Sequence, residues 1–181
     1  MGASACVGGV SDGTSAPPPS GDDDGSSGSG TTTPPPTGTD PTAAANMLIS
    51  QWSGCMTLTD FTTAKMNTAW GQMASSLGDA CISCHGTGTE GFLVDTDATK
   101  MFTAISTDRD FLLSFFTPSA GKMTVNTALF QLVGTKQMPF QDHTPFDPTN
   151  NAGMTALQLF YTATMTQVTN GTCGAAKIPA M

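Results

Sequence analysis

The sequence predicts an all-α domain preceded by a long disordered linker. After Pro41, apolar residues recur at helical spacing in several segments, and no segment of convincing length alternates as a strand would. Residues 7–40 are rich in Gly, Ser, Pro, Thr and Asp and carry no large apolar residue after Val10. Such a segment buries too little surface to offset its ordering entropy. We therefore expect a disordered tether over 7–40 and one folded domain over 41–181.

Start and stop signals divide the folded part into short amphipathic helices. The first begins at Pro41 with Asp40 or Thr42 as its cap and has Leu48, Trp52 and Cys55 on one face. The second helix begins at Thr59-Asp60 and carries Met66, Ala69, Trp70, Met73 and Leu77. A short helix over 100–105 follows, and then a helix from Asp108 whose Phe-rich face stops at Pro118. The last two are a short helix capped by Asn126 and a helix over 150–169.

One motif carries recognisable chemistry, and it is Cys81-Ile82-Ser83-Cys84-His85. One turn of backbone holds two thiols at this spacing, which suits thioether bonds to the two vinyl groups of a haem. The adjacent imidazole can then bind the iron as an axial ligand. The pattern predicts one covalently bound haem c attached to Cys81 and Cys84, with His85 as the proximal iron ligand.

Three other uses of the motif stay open. The two thiols could form a redox pair of the thioredoxin kind, although that use places the pair after a strand and the residues before Cys81 read as helix. They could be half of a zinc site, although no second Cys or His pair stands at ligand spacing in the chain. The third use is a plain structural disulfide.

The N-terminal residues predict the cellular location. Ala3-Ser4-Ala5-Cys6 resembles a bacterial lipobox, with Ala in place of the preferred Leu, so residues 1–6 read as the end of a lipoprotein signal. Cys6 is the predicted lipidation site, and an incidental cysteine is the alternative. The tether would then hold the folded domain near the membrane, in the periplasm or at the cell surface. The lipid at Cys6 would be its membrane contact, since no apolar run of spanning length occurs in the sequence.

Cysteine counting predicts one disulfide. The chain has five cysteines, and subtracting two for haem and one for lipid leaves Cys55 and Cys173. A bond between them would require an oxidising compartment, as covalent haem attachment outside the cytoplasm also does. The alternative is a pair of free, buried thiols.

The net charge of the chain indicates which kinds of molecule it binds. The chain carries a net charge of −8, and the part after Pro41 holds nine acidic against six basic residues, a net of −3. This distribution speaks against nucleic acid, which favours a basic surface. It suits a protein that meets redox partners carrying Lys and Arg around their contact sites through small, transient contacts. The oligomeric state does not follow from the sequence.

The order of the elements resembles the class I c-type cytochromes. A helix, the CxxCH motif, short helices, a Met-Pro loop and a final amphipathic helix follow one another in both. The resemblance implies a small helical domain around one haem, with Met138 of Thr135-Lys136-Gln137-Met138-Pro139-Phe140 as the distal iron ligand. Pro139 also favours an extended backbone at Met138. In that family a proline soon after the motif orients the proximal imidazole, but none occurs here before Pro118. The residue that orients His85 is therefore unidentified.

Two rivals to Met138 remain, and they affect the predicted function. With His143 as the distal ligand, the iron would be bound by two histidines. With Met123 as the distal ligand, it would be bound by a thioether, as with Met138. With both iron faces occupied, the protein would be a one-electron carrier rather than an enzyme. If the distal face is open, it would be a haem enzyme or a sensor of a small ligand. A structural lipoprotein with a disulfide in the CxxC motif is the third possibility.

Overall fold

The computed structural model describes residues 40–74, 80–88, 91–127 and 152–181. Within them the chain is mostly helical, as predicted, with one small sheet. Four of the predictions lie outside the described residues: Cys6, Met138, His143 and the tether before Asp40. The predicted helix after its Asn126 cap extends beyond the described residues. None of the helices in the described ranges is long and apolar enough to cross a membrane.

Residues Asp40–Met181 form one compact unit. Its elements in order are α1 Pro41–Cys55, α2 Leu58–Thr63, α3 Met66–Gly71, α4 Cys81–His85, α5 Ala98–Thr107, α6 Arg109–Phe115, β1 Phe116–Ser119, β2 Lys122–Val125 and α7 Ala152–Asn170.

The helix starts follow the capping residues in the sequence. Asp40 accepts from the Thr42 N–H at the start of α1, with Pro41 in the first turn. Asp97 and Asp108 accept from the first free N–H groups of α5 and α6. A side-chain oxygen at this position satisfies donors that have no partner within the helix, which explains why each helix begins where it does.

The helix predicted from Thr59-Asp60 is two helices, so that prediction was wrong about its continuity. It begins slightly earlier, at Leu58, because the Thr57 side chain caps it by accepting from the Asp60 N–H. It then breaks at Ala64-Lys65, where Lys65 adopts a left-handed backbone with φ 59°. Glycine usually supplies this conformation, so a lysine there gives no sequence signal of a break.

The Phe-rich helix is also shorter than predicted, and a hairpin follows it. α6 ends at Phe115, and Phe116 begins a strand that pairs antiparallel with β2, Phe116 opposite Val125. The two-residue turn uses Ala120 and Gly121, both with positive φ. Such turns match the twist of the paired strands, but Ala-Gly is a weaker signal than Asn-Gly. The absence of strands was therefore predicted wrongly.

α7 is the element around which the others pack. It contacts α1, α2 and α3 along one side, while α5 packs on both α2 and α6. It ends at Asn170-Gly171, as predicted, with Gly171 at φ 65°. The fully buried large side chains come from most of these elements and form one core: Phe61, Trp70, Phe115, Phe116, Phe160, Ile49, Met56, Met66, Met73, Met101, Ile105 and Leu112.

A C-terminal segment, residues 171–181, lies over the last turn of α1, and we call it the strap. The structure joins Cys173 of the strap to Cys55 at the end of α1, which is the predicted disulfide. The Gly174 N–H donates to the Gly54 carbonyl at 3.0 Å, and Ile178 is buried. The strap therefore forms part of the folded domain.

Candidate functional site

The CxxCH motif forms α4, a single helical turn. Cys81 and Cys84 are three residues apart on this turn, so their side chains emerge on the same side of it. Both are partly buried, whereas Ser83 between them is exposed. The turn closes through the Ser83 N–H to the Ala80 carbonyl and the Gly86 N–H to the Ile82 carbonyl, each at 2.9 Å.

The core fixes the start of this turn. The Cys81 N–H donates to the carbonyl of Met73 at 2.9 Å, and Ala74 forms an isolated bridge with Ala80. Met73 is fully buried, and α7 approaches it at Gly153, where an added Cβ would lie 2.1 Å from its sulfur atom. The chain is thus held tightly just before the first thiol.

The two thiols differ in chemical state. Cys81 is a free cysteine, and burial raises the pKa of its thiol above the usual value. Cys84 is disulfide-bonded, but its partner is not Cys81. The two are therefore not joined to each other in this structure. A raised thiol pKa is also the reverse of the lowered value that activates thiol-disulfide exchange enzymes.

His85 ends the turn and lies partly buried beside aromatic side chains. Its imidazole is perpendicular to the ring of Phe92, with centroids 5.0 Å apart. Phe92 stacks on Phe115 at 5.0 Å and meets Trp70 edge to face at 5.6 Å. We call Trp70, Phe92 and Phe115 the aromatic wall. Sequence reasoning missed the role of Phe92, because an isolated Phe after a Gly-rich loop carries no periodic signal.

The donor set fits the covalent attachment of a haem. Two thiols on one side of a helical turn, followed by a partly buried imidazole against an apolar wall, are the groups that thioether attachment and axial ligation require. Attachment at Cys84 would need its disulfide to be reduced first. Among the described residues, no group of three or more His, Cys, Asp or Glu side chains could hold a bare metal ion.

The three proposed distal ligands fare differently. Met138 and His143 lie outside the described residues, so their predictions stay untested. Met123 lies on β2 and is buried, and its carbonyl accepts from the Tyr161 hydroxyl at 3.0 Å. With Leu48, Trp52, Met165 and Val168 it lines a cleft of about 110 Å³ between α1, the hairpin and α7. Its neighbours in this cleft thus belong to α1 and α7, whereas His85 contacts Phe92 of the aromatic wall.

No known protein family, curated protein or solved structure matches this chain. The site is therefore interpreted from its own residues.

Proposed function

We propose that this chain is a monohaem c-type electron carrier of the bacterial cell envelope. Cys81 and Cys84 would hold the haem covalently and His85 would be its proximal iron ligand. The observation that carries the proposal is the helical turn of α4, which puts both thiols on one side and the imidazole against the aromatic wall. When bound, the group supplies one-electron oxidation and reduction.

Met138 is the favoured distal ligand. The resemblance to class I c-type cytochromes supports it, and the burial of Met123 among residues of α1 and α7 makes Met123 the weaker rival. A thioether opposite the imidazole would favour reduced iron, whereas His143 would favour oxidised iron. With both faces of the iron occupied, the protein would pass electrons and leave substrates unchanged.

The chain's own residues would shape the haem environment. Trp70 and Phe115 are almost fully buried and Phe92 is partly buried, so the wall limits the access of water to that side of His85. An apolar environment lowers the local dielectric constant and so helps to set the redox potential of a bound haem. The excess of acidic over basic residues after Pro41 suits partners with basic contact surfaces. Lipidation at Cys6 would hold the carrier at the membrane, in the periplasm or at the cell surface.

Expression with haem-maturation machinery tests the proposal. The wild-type chain should gain the mass of one covalent haem and show the absorption of low-spin iron. Cys81→Ala and Cys84→Ala should each lose one thioether bond, and Ser83→Ala, an exposed neighbour on the same turn, should match the wild type. A wild-type chain that matures without any covalent haem would exclude the proposal and favour the structural lipoprotein.

The distal ligand is tested by three single variants of the loaded protein. Met138→Ala should remove the weak long-wavelength sulfur-to-iron band, while Met123→Ala and His143→Ala should keep it. Persistence of the band in Met138→Ala would move the assignment to another methionine. A wild-type iron that is high-spin and binds carbon monoxide at once would instead support an enzyme or a sensor.

A further inference from the structure

The proximal histidine of this chain needs a residue that fixes the orientation of its ring. His85 is the last residue of a helix of five residues, so its own element restrains its side chain little. Between His85 and Pro118 the sequence has no proline whose carbonyl could hold the imidazole. A neighbour from another segment must supply this restraint, because the orientation of a metal-binding imidazole is set by the groups around it.

The chain returns to His85 shortly after leaving it. The N–H groups of Gly88 and Val94 both donate to the His85 carbonyl, each at 3.1 Å. Val94 is fully buried and Leu93 nearly so, which anchors the returning segment in the core. This closed loop places Phe92 beside His85, although seven positions separate the two residues in sequence.

The two rings meet in a defined geometry. The imidazole of His85 and the ring of Phe92 are at 90° to each other, with centroids 5.0 Å apart. Edge-to-face pairs are favourable at centroid separations of roughly 4.5 to 7 Å. Turning the imidazole about its Cβ–Cγ bond would break this perpendicular arrangement, so the contact opposes rotation of the ring.

Phe92 can restrain its neighbour because it is itself held from two sides. Phe115 stacks on it at an angle of 25°, and Trp70 meets it at 78°. Those two rings contact each other at 5.3 Å and are almost fully buried. The restraint on His85 is thus connected to the rigid core through α3 and α6.

We infer that Phe92 is a positioning residue of the proximal imidazole, restraining the orientation of the His85 ring from the aromatic wall. The importance of that orientation for an iron site rests on the proposed function, whereas the ring contact itself does not. Loss of the Phe92 ring should leave the imidazole with more than one orientation and should leave thioether attachment intact.

The test compares Phe92→Leu with Phe102→Leu in the full chain. Phe102 is a buried aromatic residue whose ring contacts are with Phe61 and Lys177, so its loss disturbs the core away from His85. Phe92→Tyr keeps the ring and serves as the rescue variant. The first readout is the number and the width of the nuclear magnetic resonance signals of the His85 ring in cofactor-free protein, since loss of the Phe92 ring current alone moves a signal without splitting or broadening it. The second is the electron paramagnetic resonance spectrum of the loaded ferric protein.

The expected result has three parts. Phe92→Leu splits or broadens the His85 ring resonances and broadens the ferric spectrum into several components. Phe102→Leu keeps the wild-type values of both, and Phe92→Tyr restores them. The inference is overturned if Phe92→Leu leaves both spectra unchanged, or if both leucine variants alter them equally. If Phe92→Leu does not fold, the contact is tested in the wild-type protein by through-space magnetisation transfer between the rings of Phe92 and His85. Absence of this transfer would reject the contact.

The inference and the proposed function can fail separately. A chain that never gains haem would reject the electron carrier but would leave the cofactor-free measurement valid. A chain that loads haem normally, with a ferric spectrum insensitive to Phe92→Leu, would keep the carrier and reject the positioning role.

Discussion

At the scale of single residues, burial determines the reactivity of Cys81. Its thiol is free, and desolvation raises its pKa because a low-dielectric surround penalises the thiolate. Only the thiolate is a good nucleophile, so the folded chain should protect this cysteine from alkylation.

We predict that iodoacetamide modifies Cys81 more slowly in folded, cofactor-free protein than in urea, with the rate midpoint above the ordinary 9.0. Because the folded state keeps its proton to higher pH than the unfolded state, this thiol adds stability that declines as pH rises through and above 9.0. Mass spectrometry of the Cys81 peptide against pH measures the rate. A midpoint below the ordinary value would contradict the prediction and favour thiol-disulfide exchange.

Two glycines with similar positive φ angles allow backbone strain to be distinguished from steric crowding. Gly88, in the loop after His85, has φ 82°, and an added Cβ would lie 2.8 Å from the ring of Phe111. Gly121, in the hairpin turn, has φ 78° and open space around it. Alanine at either position therefore carries the left-handed backbone penalty, but only Gly88→Ala adds a steric clash.

We predict that Gly121→Ala lowers the free energy of unfolding by about 1 kcal/mol. Gly88→Ala should lose a further ~1 to 3 kcal/mol from the clash. Urea titrations of both variants measure the difference. Equal losses would show that Phe111 moves aside without cost, and the loop would then be less tightly packed than the structure indicates.

At the scale of elements, Ser53 of α1 makes several of the hydrogen bonds that hold the strap. Ser53 is fully buried, and its hydroxyl accepts from the N–H groups of Lys177 at 3.0 Å and Ile178 at 2.9 Å. The same hydroxyl donates to the Ser50 carbonyl at 2.7 Å. The Lys177 ammonium group donates to the carbonyls of Ser53 and Met56, each at 2.8 Å, at the end of α1. A cation at this end of a helix also faces the negative pole of the helix dipole.

We predict that Ser53→Ala lowers the free energy of unfolding by about 2 to 4 kcal/mol, because two backbone donors lose their acceptor. Thr162→Ala is the control, since its exposed hydroxyl bonds only within α7, to the Gln158 carbonyl at 2.8 Å. It should change stability by less than ~0.5 kcal/mol. Urea titration measures both, and faster hydrogen exchange at Lys177 and Ile178 should accompany Ser53→Ala. Unchanged exchange at these two amides would mean that the strap is held by its other contacts.

The elements also show what the sequence could predict. The helix starts at Asp40 and Asp108 depend on local side-chain caps that the sequence predicts, whereas the helix expected over 100–105 begins earlier, at Ala98, behind an Asp97 cap that was not predicted. The break at Lys65 and the turn at Ala120 depend on positive φ at residues other than glycine, which tertiary packing imposes.

The candidate site also has residues that the sequence predicts and a residue that only the folded structure identifies. Cys81, Cys84 and His85 form a local motif, so spacing alone identifies them. Phe92 gains its significance from a loop that folds back to His85 and from the aromatic wall behind it. Long-range contacts of this kind have no signature in a single sequence, and only the folded chain reveals them.

At the scale of the whole molecule, the Cys55–Cys173 disulfide closes most of the domain into one loop. Its two cysteines are 118 residues apart in sequence, and α2 to α7 lie between them. A cross-link of this length restricts the unfolded chain strongly, and the chain-entropy model gives about 4 to 5 kcal/mol as an upper value. The strap hydrogen bonds of Lys177 and Ile178 do not involve either cysteine, so we expect the domain to fold without the disulfide.

We predict that the double variant Cys55→Ala/Cys173→Ala folds but loses up to about 4 to 5 kcal/mol of unfolding free energy. Mutation is preferable to a chemical reductant, which would also reduce the disulfide at Cys84. Ser53→Ala within the double variant separates the two contributions. If the disulfide acts mainly on the unfolded chain, the strap makes the same contacts with or without the bond. Ser53→Ala should then lower the free energy of unfolding by the same amount in both backgrounds. A much larger serine cost without the bond would show that Cys173 instead holds the strap in place in the folded state.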